Sequence, residues 1–74
     1  MKISYDPEAD AIYIELRDVR PADSRDIEEG VTVDMDVDGH VIGIEILDAR
    51  ERLGTESLDS VVVEVLREPL RKSA

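Results

Sequence analysis

Apolar and polar residues alternate along 31–47, and an Asp-Gly pair interrupts the alternation near its centre. A period of two is typical of a strand with one buried face, and Asp-Gly between two such runs is typical of a tight hairpin turn. A two-residue turn at Asp38 and Gly39 makes one face of this hairpin wholly aliphatic. The facing aliphatic pairs are Val31 with Ile46, Val33 with Ile44 and Met35 with Ile42. The other face then carries Thr32, Asp34, Asp36, Val41, Gly43 and Glu45.

The first part of the chain predicts a second hairpin. Residues 2–5 form a short strand, and 11–17 alternate apolar and polar side chains like a half-buried strand. Residues 6–10 join them as a turn, because Pro7 fixes φ and the aspartates accept hydrogen bonds from nearby amides.

A charged stretch at 24–28 is typical of an exposed edge strand, because charges discourage unwanted pairing. The turn that follows it admits two interpretations. With two turn residues, Arg25 lies opposite Asp34 as an ion pair, but Ile27 then lands on the polar face. A bulge or a longer loop is the alternative.

The chain after the central hairpin is harder to interpret. Residues 48–54 predict an irregular segment or one helical turn. The apolar residues of 58–66 fit a helical stripe, yet four valines in five positions favour a strand, because β-branched side chains lose freedom in helices. We predict a short helix near 55–59 followed by a strand at 61–66. Pro69 stops either element, and 70–74 form a frayed tail.

These elements predict one α+β domain spanning 1–74. We expect a small antiparallel β-meander of about five strands, with a short C-terminal helix and a sixth strand. The chain has 74 residues and no cysteine, phenylalanine or tryptophan, so its core must be small and aliphatic. A second copy of the chain would add to that core, so a homodimer is an expectation as well.

The charge balance excludes one class of ligand. The chain has 9 basic and 19 acidic residues, a net charge of −10, and 23–48 contain a single base, Arg25. Direct binding of nucleic acid depends on basic contacts, so we expect none. The sequence contains no apolar run long enough for a membrane span or a signal peptide. We therefore expect a soluble cytoplasmic protein without membrane contact.

Residues 34–45 also have the spacing of a calcium-binding EF-hand loop, with Asp34, Asp36, Asp38 and Glu45 as the ligands. Alternate residues of a strand stand roughly 6.5–7 Å apart, so one ion contacts two of these aspartates and not three. The flanking residues are good strand formers and poor helix formers. We therefore prefer the hairpin and predict no metal or cofactor, with calcium binding as the alternative function.

Candidate catalytic groups are few. His40 is the single histidine and lies just beyond the predicted turn. A pair of Glu45 with Asp34 or Asp36 would lie on an open face, without the burial that separates two carboxyl pKa values. Gly43 either lets another backbone approach or marks a bulge. We therefore predict that the protein is not an enzyme. An enzyme is only the third alternative, after an interaction module and a calcium-binding protein.

Two runs resemble the small prokaryotic family called domain of unknown function 2283. They are Met-Lys-Ile-x-Tyr-Asp-Pro-Glu-Ala-Asp-Ala-x-Tyr-Ile at 1–14 and Val-x-x-Asp-x-Asp-x-Asp-Gly-x-Val-x-Gly-Ile-Glu-Ile-Leu-Asp-Ala at 31–49. The resemblance covers about 1–53 and carries over no catalytic residue. It implies an antitoxin-like role, as the partner of a small basic protein resembling an RNA-cleaving toxin.

We predict a small acidic module for protein–protein interaction, which pairs with itself or with a small basic protein. An acidic patch would steer the encounter, and an aliphatic face would supply adhesion. The patch would comprise Asp26, Glu28, Asp34, Asp36, Asp38 and Glu45.

Overall fold

A computed structural model describes residues 1–67 of the protein, apart from the side chain of Ser57. The strands are β1 (Lys2–Asp6), β2 (Ala11–Glu15), β3 (Asp23–Glu28), β4 (Val31–Met35) and β5 (Val41–Leu47). Helix α1 (Ala49–Leu53) and a 3₁₀ helix (Thr55–Leu58) follow. All five strands form one antiparallel sheet in the order β1-β2-β5-β4-β3. This is the predicted α+β architecture.

The sheet consists of two locally connected units that meet in its middle. β1 and β2 form a hairpin, whereas β3, β4 and β5 form a three-stranded meander. The two units join where β2 pairs with β5, in a register that sets Ile12 against Ile46 and Ile14 against Ile44. Residues 16–22 carry the chain from β2 to the opposite edge of the sheet.

The central hairpin has the predicted register along most of its length and a different tip. Val31 pairs with Ile46 and Val33 with Ile44, but a shift after Asp34 sets Met35 against Val41 instead of Ile42. The predicted two-residue turn is therefore wrong. The turn spans 36–39, closed by a 3.0 Å hydrogen bond from the Gly39 amide to the Asp36 carbonyl oxygen. Gly39 supplies its left-handed residue, with φ of 85°.

The turn between β3 and β4 follows the bulge interpretation. The register shifts between Asp26 and Glu28, so Arg25 lies opposite Val33 and Ser24 lies opposite Asp34. The Arg25–Asp34 ion pair of the alternative is absent from the described residues. Ile27 lies in the bulge and is 58% exposed.

The core is small and lies on one side of the sheet, which we call the apolar face. Its most buried members are Ile12, Met35, Ile42 and, from α1, Ala49. The helical turn predicted in 48–54 is α1, and the helix predicted near 55–59 is present in 3₁₀ form. No described helix is long and apolar enough to cross a membrane.

The predicted strand at 61–66 does not form in the single chain. Residues 60–67 have no regular secondary structure and are exposed. A strand needs a neighbour for its backbone groups, and no described strand bonds to these residues. The predicted frayed tail at 70–74 lies outside the described residues.

Candidate functional site

The side of the sheet opposite the core, which we call the polar face, collects side chains from all five strands. The strand register aligns them in rows across the sheet. One row contains Ser4, Tyr13, Glu45, Thr32 and Asp26, and the next contains Lys2, Glu15, Gly43, Asp34 and Ser24. These two rows thus contain four carboxylates and one base, Lys2.

A tyrosine crosses the middle of the polar face. The Tyr13 hydroxyl on β2 donates a 2.8 Å hydrogen bond to the Asp34 carboxylate on β4, reaching over the intervening strand β5. The bond is possible because β5 has Gly43 at the crossing, where a Cβ atom would lie 1.9 Å from the hydroxyl oxygen. We call this contact the Tyr13 bridge. It gives Gly43 a cause that neither sequence interpretation proposed, the close approach of a side chain.

The Tyr13 bridge also changes the acidity of the phenol. Loss of the hydroxyl proton would set a phenolate against the Asp34 carboxylate, and partial burial penalises that charge as well. The hydrogen bond to Asp34, followed by desolvation, raises the pKa of Tyr13 to about 12. The group is therefore a neutral hydrogen-bond donor at physiological pH.

Asp36 belongs to the hairpin turn and not to an open surface. It is 8% exposed, and its Oδ1 accepts 2.9 Å hydrogen bonds from the amides of both Asp38 and His40. Its Oδ2 lies 3.4 Å from Nη1 of Arg17. The amide of His40 in particular holds the pKa of Asp36 below its usual value. This carboxylate fixes the amides of the turn, which explains why the tip departs from the predicted two-residue turn.

The predicted calcium ligands do not converge. Asp34 is bonded to Tyr13, Asp36 to turn amides, and Asp38 and Glu45 are exposed. Among residues 1–67, no three side chains of histidine, cysteine, aspartate or glutamate lie together as a metal site. The EF-hand spacing falls on two strands and their turn, which keep the chain from coiling around one ion.

The predicted acidic patch is brought together only in part. Asp26, Asp34 and Glu45 share the polar face, and Asp26 accepts a 3.1 Å hydrogen bond from the Thr32 hydroxyl. Asp38 lies in the exposed turn and Asp36 is buried beside it. Glu28 lies opposite Val31, in the row of the apolar face, and pairs at 2.9 Å with Arg52.

Glu15 is the member of the polar face that sequence reasoning missed. Alternation along 11–15 sets it on the same side of β2 as Tyr13. Its closeness to the other carboxylates follows only from the pairing of β2 with β5, where Glu15 lies opposite Gly43. A local pattern carries no information about that long-range pairing.

The Asp-Pro-Glu-Ala-Asp turn at 6–10 is held by side-chain hydrogen bonds of its two aspartates. Asp6 Oδ1 accepts hydrogen bonds from the amides of Glu8 and Ala9, at 3.0 and 3.3 Å. Asp10 Oδ1 accepts one from the Tyr5 hydroxyl at 2.8 Å and one from the Arg50 amide at 3.1 Å. The turn thereby anchors the start of α1 to the β1–β2 hairpin.

A shallow groove opens on the apolar face of the sheet. It lies beside β1 and is lined by Ile3, Tyr5, Ile12, Leu58, Asp59, Ser60 and Val61. His40, the candidate for acid–base chemistry, is exposed next to the hairpin turn. It lines no part of this groove.

A family model described as Protein of unknown function (DUF2283) matches residues 2–50. The chain belongs to this family. The DUF2283 region contains all five strands, the Tyr13 bridge and the turn at 6–10. It ends within α1, so residues 51–67 lie beyond it. Neither curated proteins nor solved structures give a significant match to the chain.

Proposed function

We propose that this DUF2283 protein is a non-enzymatic interaction module whose polar face binds a small basic protein. The observation that carries the proposal is that two neighbouring rows of the sheet contain four carboxylates and one base, Lys2. The carboxylates are Glu15, Glu45, Asp34 and Asp26. An antitoxin-like role, with a small basic enzyme as the partner, is one form of it.

The spacing of the strands supports a joint action of these charges. Neighbouring strands lie about 4.8 Å apart, so the face from β2 to β3 is about 14 Å wide. The Debye length at physiological ionic strength is about 8 Å, which is comparable to the diagonal separation of one carboxylate from the next across the two rows. They belong to a chain with net charge −10, whose potential attracts a basic partner.

The chemistry of the face supports binding over catalysis. Its one phenol, Tyr13, has a pKa raised to about 12 and is held by Asp34, so it is a poor base and a poor nucleophile at neutral pH. Glu45 and Asp26 are exposed to water, whereas acid–base pairs depend on burial to separate their pKa values. We expect the encounter to occur in the cytoplasm, which suits a chain without cysteine.

The test is affinity capture with a variant that lacks three of the charges, Glu15→Gln, Asp26→Asn and Glu45→Gln. Asp34 is left intact to preserve the Tyr13 bridge. Tagged protein in its own cell lysate should retain a basic protein in stoichiometric amount, and that protein should be released as salt rises. With the purified partner, the variant should associate about 10-fold more slowly than the wild type.

A matched control removes the same number of charges elsewhere. Glu8, Asp18 and Glu51 are exposed and lie outside the polar face, so their neutralisation should leave association close to that of the wild type. If association slows equally in both variants, the cause is the net charge of the protein and not the polar face. Capture that is unchanged by the polar-face variant would contradict the proposal.

A further inference from the structure

Residues 61–66, here called the valine segment, form an unpartnered stretch of strand-like sequence. Four of the six residues are valine, which favours extended structure. The five apolar side chains of the segment are between 61% and 85% exposed. Single exposed apolar residues are ordinary, but a continuous run of them marks an interaction site.

The two edges of the sheet differ in how well they are protected against another strand. β3 has three acidic side chains, Asp23, Asp26 and Glu28, and a bulge before the last of them. Charges and bulges both discourage pairing. β1 pairs with β2 without any shift, and its charged residues, Lys2 and Asp6, lie at its ends. The outer edge of β1 is therefore the open one.

The valine segment fits β1 in length, polarity and charge. Alternation sets Val61, Val63 and Val65 on one side, which suits the apolar face beside Ile3 and Tyr5. In an extended segment, Glu64 lies on the opposite side, which corresponds to the polar face and its base Lys2. In an antiparallel addition, Glu64 beside Lys2 brings Val63 beside Ile3. At β3 the same glutamate would meet like charges.

The segment does not reach this edge within its own chain. Leu58, Ser60 and Val61 line the same groove as Ile3 and Ile12, so the chain enters the segment over the apolar face and without a backbone hydrogen bond to the edge of β1. Among the described residues, no backbone hydrogen bond joins 61–67 to a strand. The valine segment of a second copy is not attached beside this groove, so it can approach the β1 edge from outside.

We propose that the protein is a homodimer in which the valine segment of each copy adds as a sixth strand to β1 of the other. Donor and acceptor are both present on every chain, so the exchange is reciprocal and closes with two-fold symmetry. The contact supplies β1 with backbone hydrogen bonds and covers the apolar groove. It uses the sheet edge and the apolar face, so it does not depend on the basic partner proposed above.

The first test compares masses in solution by light scattering. The wild-type protein at micromolar concentration should have twice the mass of the 8.3 kDa chain. Val63→Lys should weaken the dimer by about 100-fold or more, because a lysine would replace the valine packed beside Ile3. Val63 is 68% exposed in the single chain, so this variant should keep its fold, which circular dichroism checks. A wild-type monomer at about 0.1 mM, or a dimer unaffected by Val63→Lys, would overturn the proposal.

A matched control uses an exposed valine outside the proposed contact. Val37 is 85% exposed in the β4–β5 turn, so Val37→Lys should leave the dimer intact. The polar-face variant of the previous section should also remain dimeric. Loss of the dimer in Val37→Lys to the same extent as in Val63→Lys would show general apolar adhesion and would overturn strand addition.

A charge exchange tests the register. Lys2→Glu and Glu64→Lys should each weaken the dimer by up to about 5-fold, because each creates a like-charged pair. The double variant restores an opposite pair and should bind more tightly than either single variant. Hydrogen exchange should show protection of the β1 amides only in the dimer. A double variant no tighter than the single ones, or protected 61–66 amides in a monomer, would overturn the assignment to β1 of a second copy.

Discussion

β5 reads Val-Ile-Gly-Ile-Glu-Ile-Leu and the valine segment reads Val-Val-Val-Glu-Val-Leu, so both are β-branched runs around a single glutamate. Their surroundings differ. β5 lies between β2 and β4 and pairs on both sides, and its Ile42 is 2% exposed. The valine segment pairs with no described strand, and its Val62 is 85% exposed. The comparison shows that a sequence with high strand propensity forms a strand only where a neighbouring strand accepts its backbone hydrogen bonds.

The largest expected effect comes from equal truncations in the two regions. Ile42→Ala should lower the free energy of unfolding by about 2–5 kcal/mol, because it removes buried methyl groups from a small core. Val62→Ala should change it by less than about 0.5 kcal/mol. Urea unfolding measures both, in the Val63→Lys background where the dimer does not contribute. Similar losses at the two positions would mean that the valine segment is packed in the single chain.

A change of side-chain size in each region should separate them further. Gly43→Ala sets a methyl group against Tyr13 and should cost about 1–3 kcal/mol of stability. Val63→Ala in the valine segment is the control and should cost little in the monomer. Tyr13→Leu removes the obstructing ring end, so Gly43→Ala should cost less in that background. A cost that stays the same in the double-mutant cycle would contradict the Tyr13 bridge.

The hairpin turn gives β5 its neighbour β4, so Asp36 should matter more than the exposed Asp38 beside it. Asp36→Ala should lower the melting temperature more than Asp38→Ala, because it leaves two turn amides without their acceptor. The pKa of Asp36 is lowered in the folded protein, so its charge stabilises the fold above its usual pKa of 3.8. This contribution is lost as the pH falls below 3.8. The difference between wild type and Asp36→Asn should therefore narrow at acid pH, which thermal unfolding measures.

The smallest effect concerns the Tyr13 bridge over β5. Its phenol has a pKa of about 12 in the folded protein and 10.0 as the reference value, so the folded state retains the proton more strongly. The stabilisation is complete below pH 10 and is lost as the pH rises towards 12. The wild type should therefore be more stable than Tyr13→Phe below pH 10, and this difference should disappear between pH 10 and pH 12. Tyrosinate absorbance in the Tyr5→Phe background follows Tyr13 alone, and a titration near 10 would contradict the bridge.

Local features of this fold could be predicted from the sequence, and long-range ones could not. The 31–47 alternation predicted that Val33 pairs with Ile44, because period and turn chemistry fix a hairpin locally. The predicted turn at the tip of this hairpin was wrong, because the Asp36 carboxylate accepts hydrogen bonds from the turn amides and the register shifts. Two features depend on the pairing of β2 with β5: the closeness of Glu15 to the other carboxylates and the hydrogen bond from Tyr13 to Asp34. These strands are far apart in the sequence, so a local alternation of residues does not predict that they pair.

The order of the strands has a consequence for how the chain can be divided. Residues 16–22 are the sole covalent link between the β1–β2 hairpin and the meander that follows, and 18–21 are exposed. The Val19 amide bonds to the Arg17 carbonyl oxygen, and the backbone hydrogen bonds from the linker to the sheet come from its ends, at Leu16, Arg17 and Ala22. A chain cut or circularly permuted there keeps both pieces whole, and the ladder between β2 and β5 is what would reassemble them.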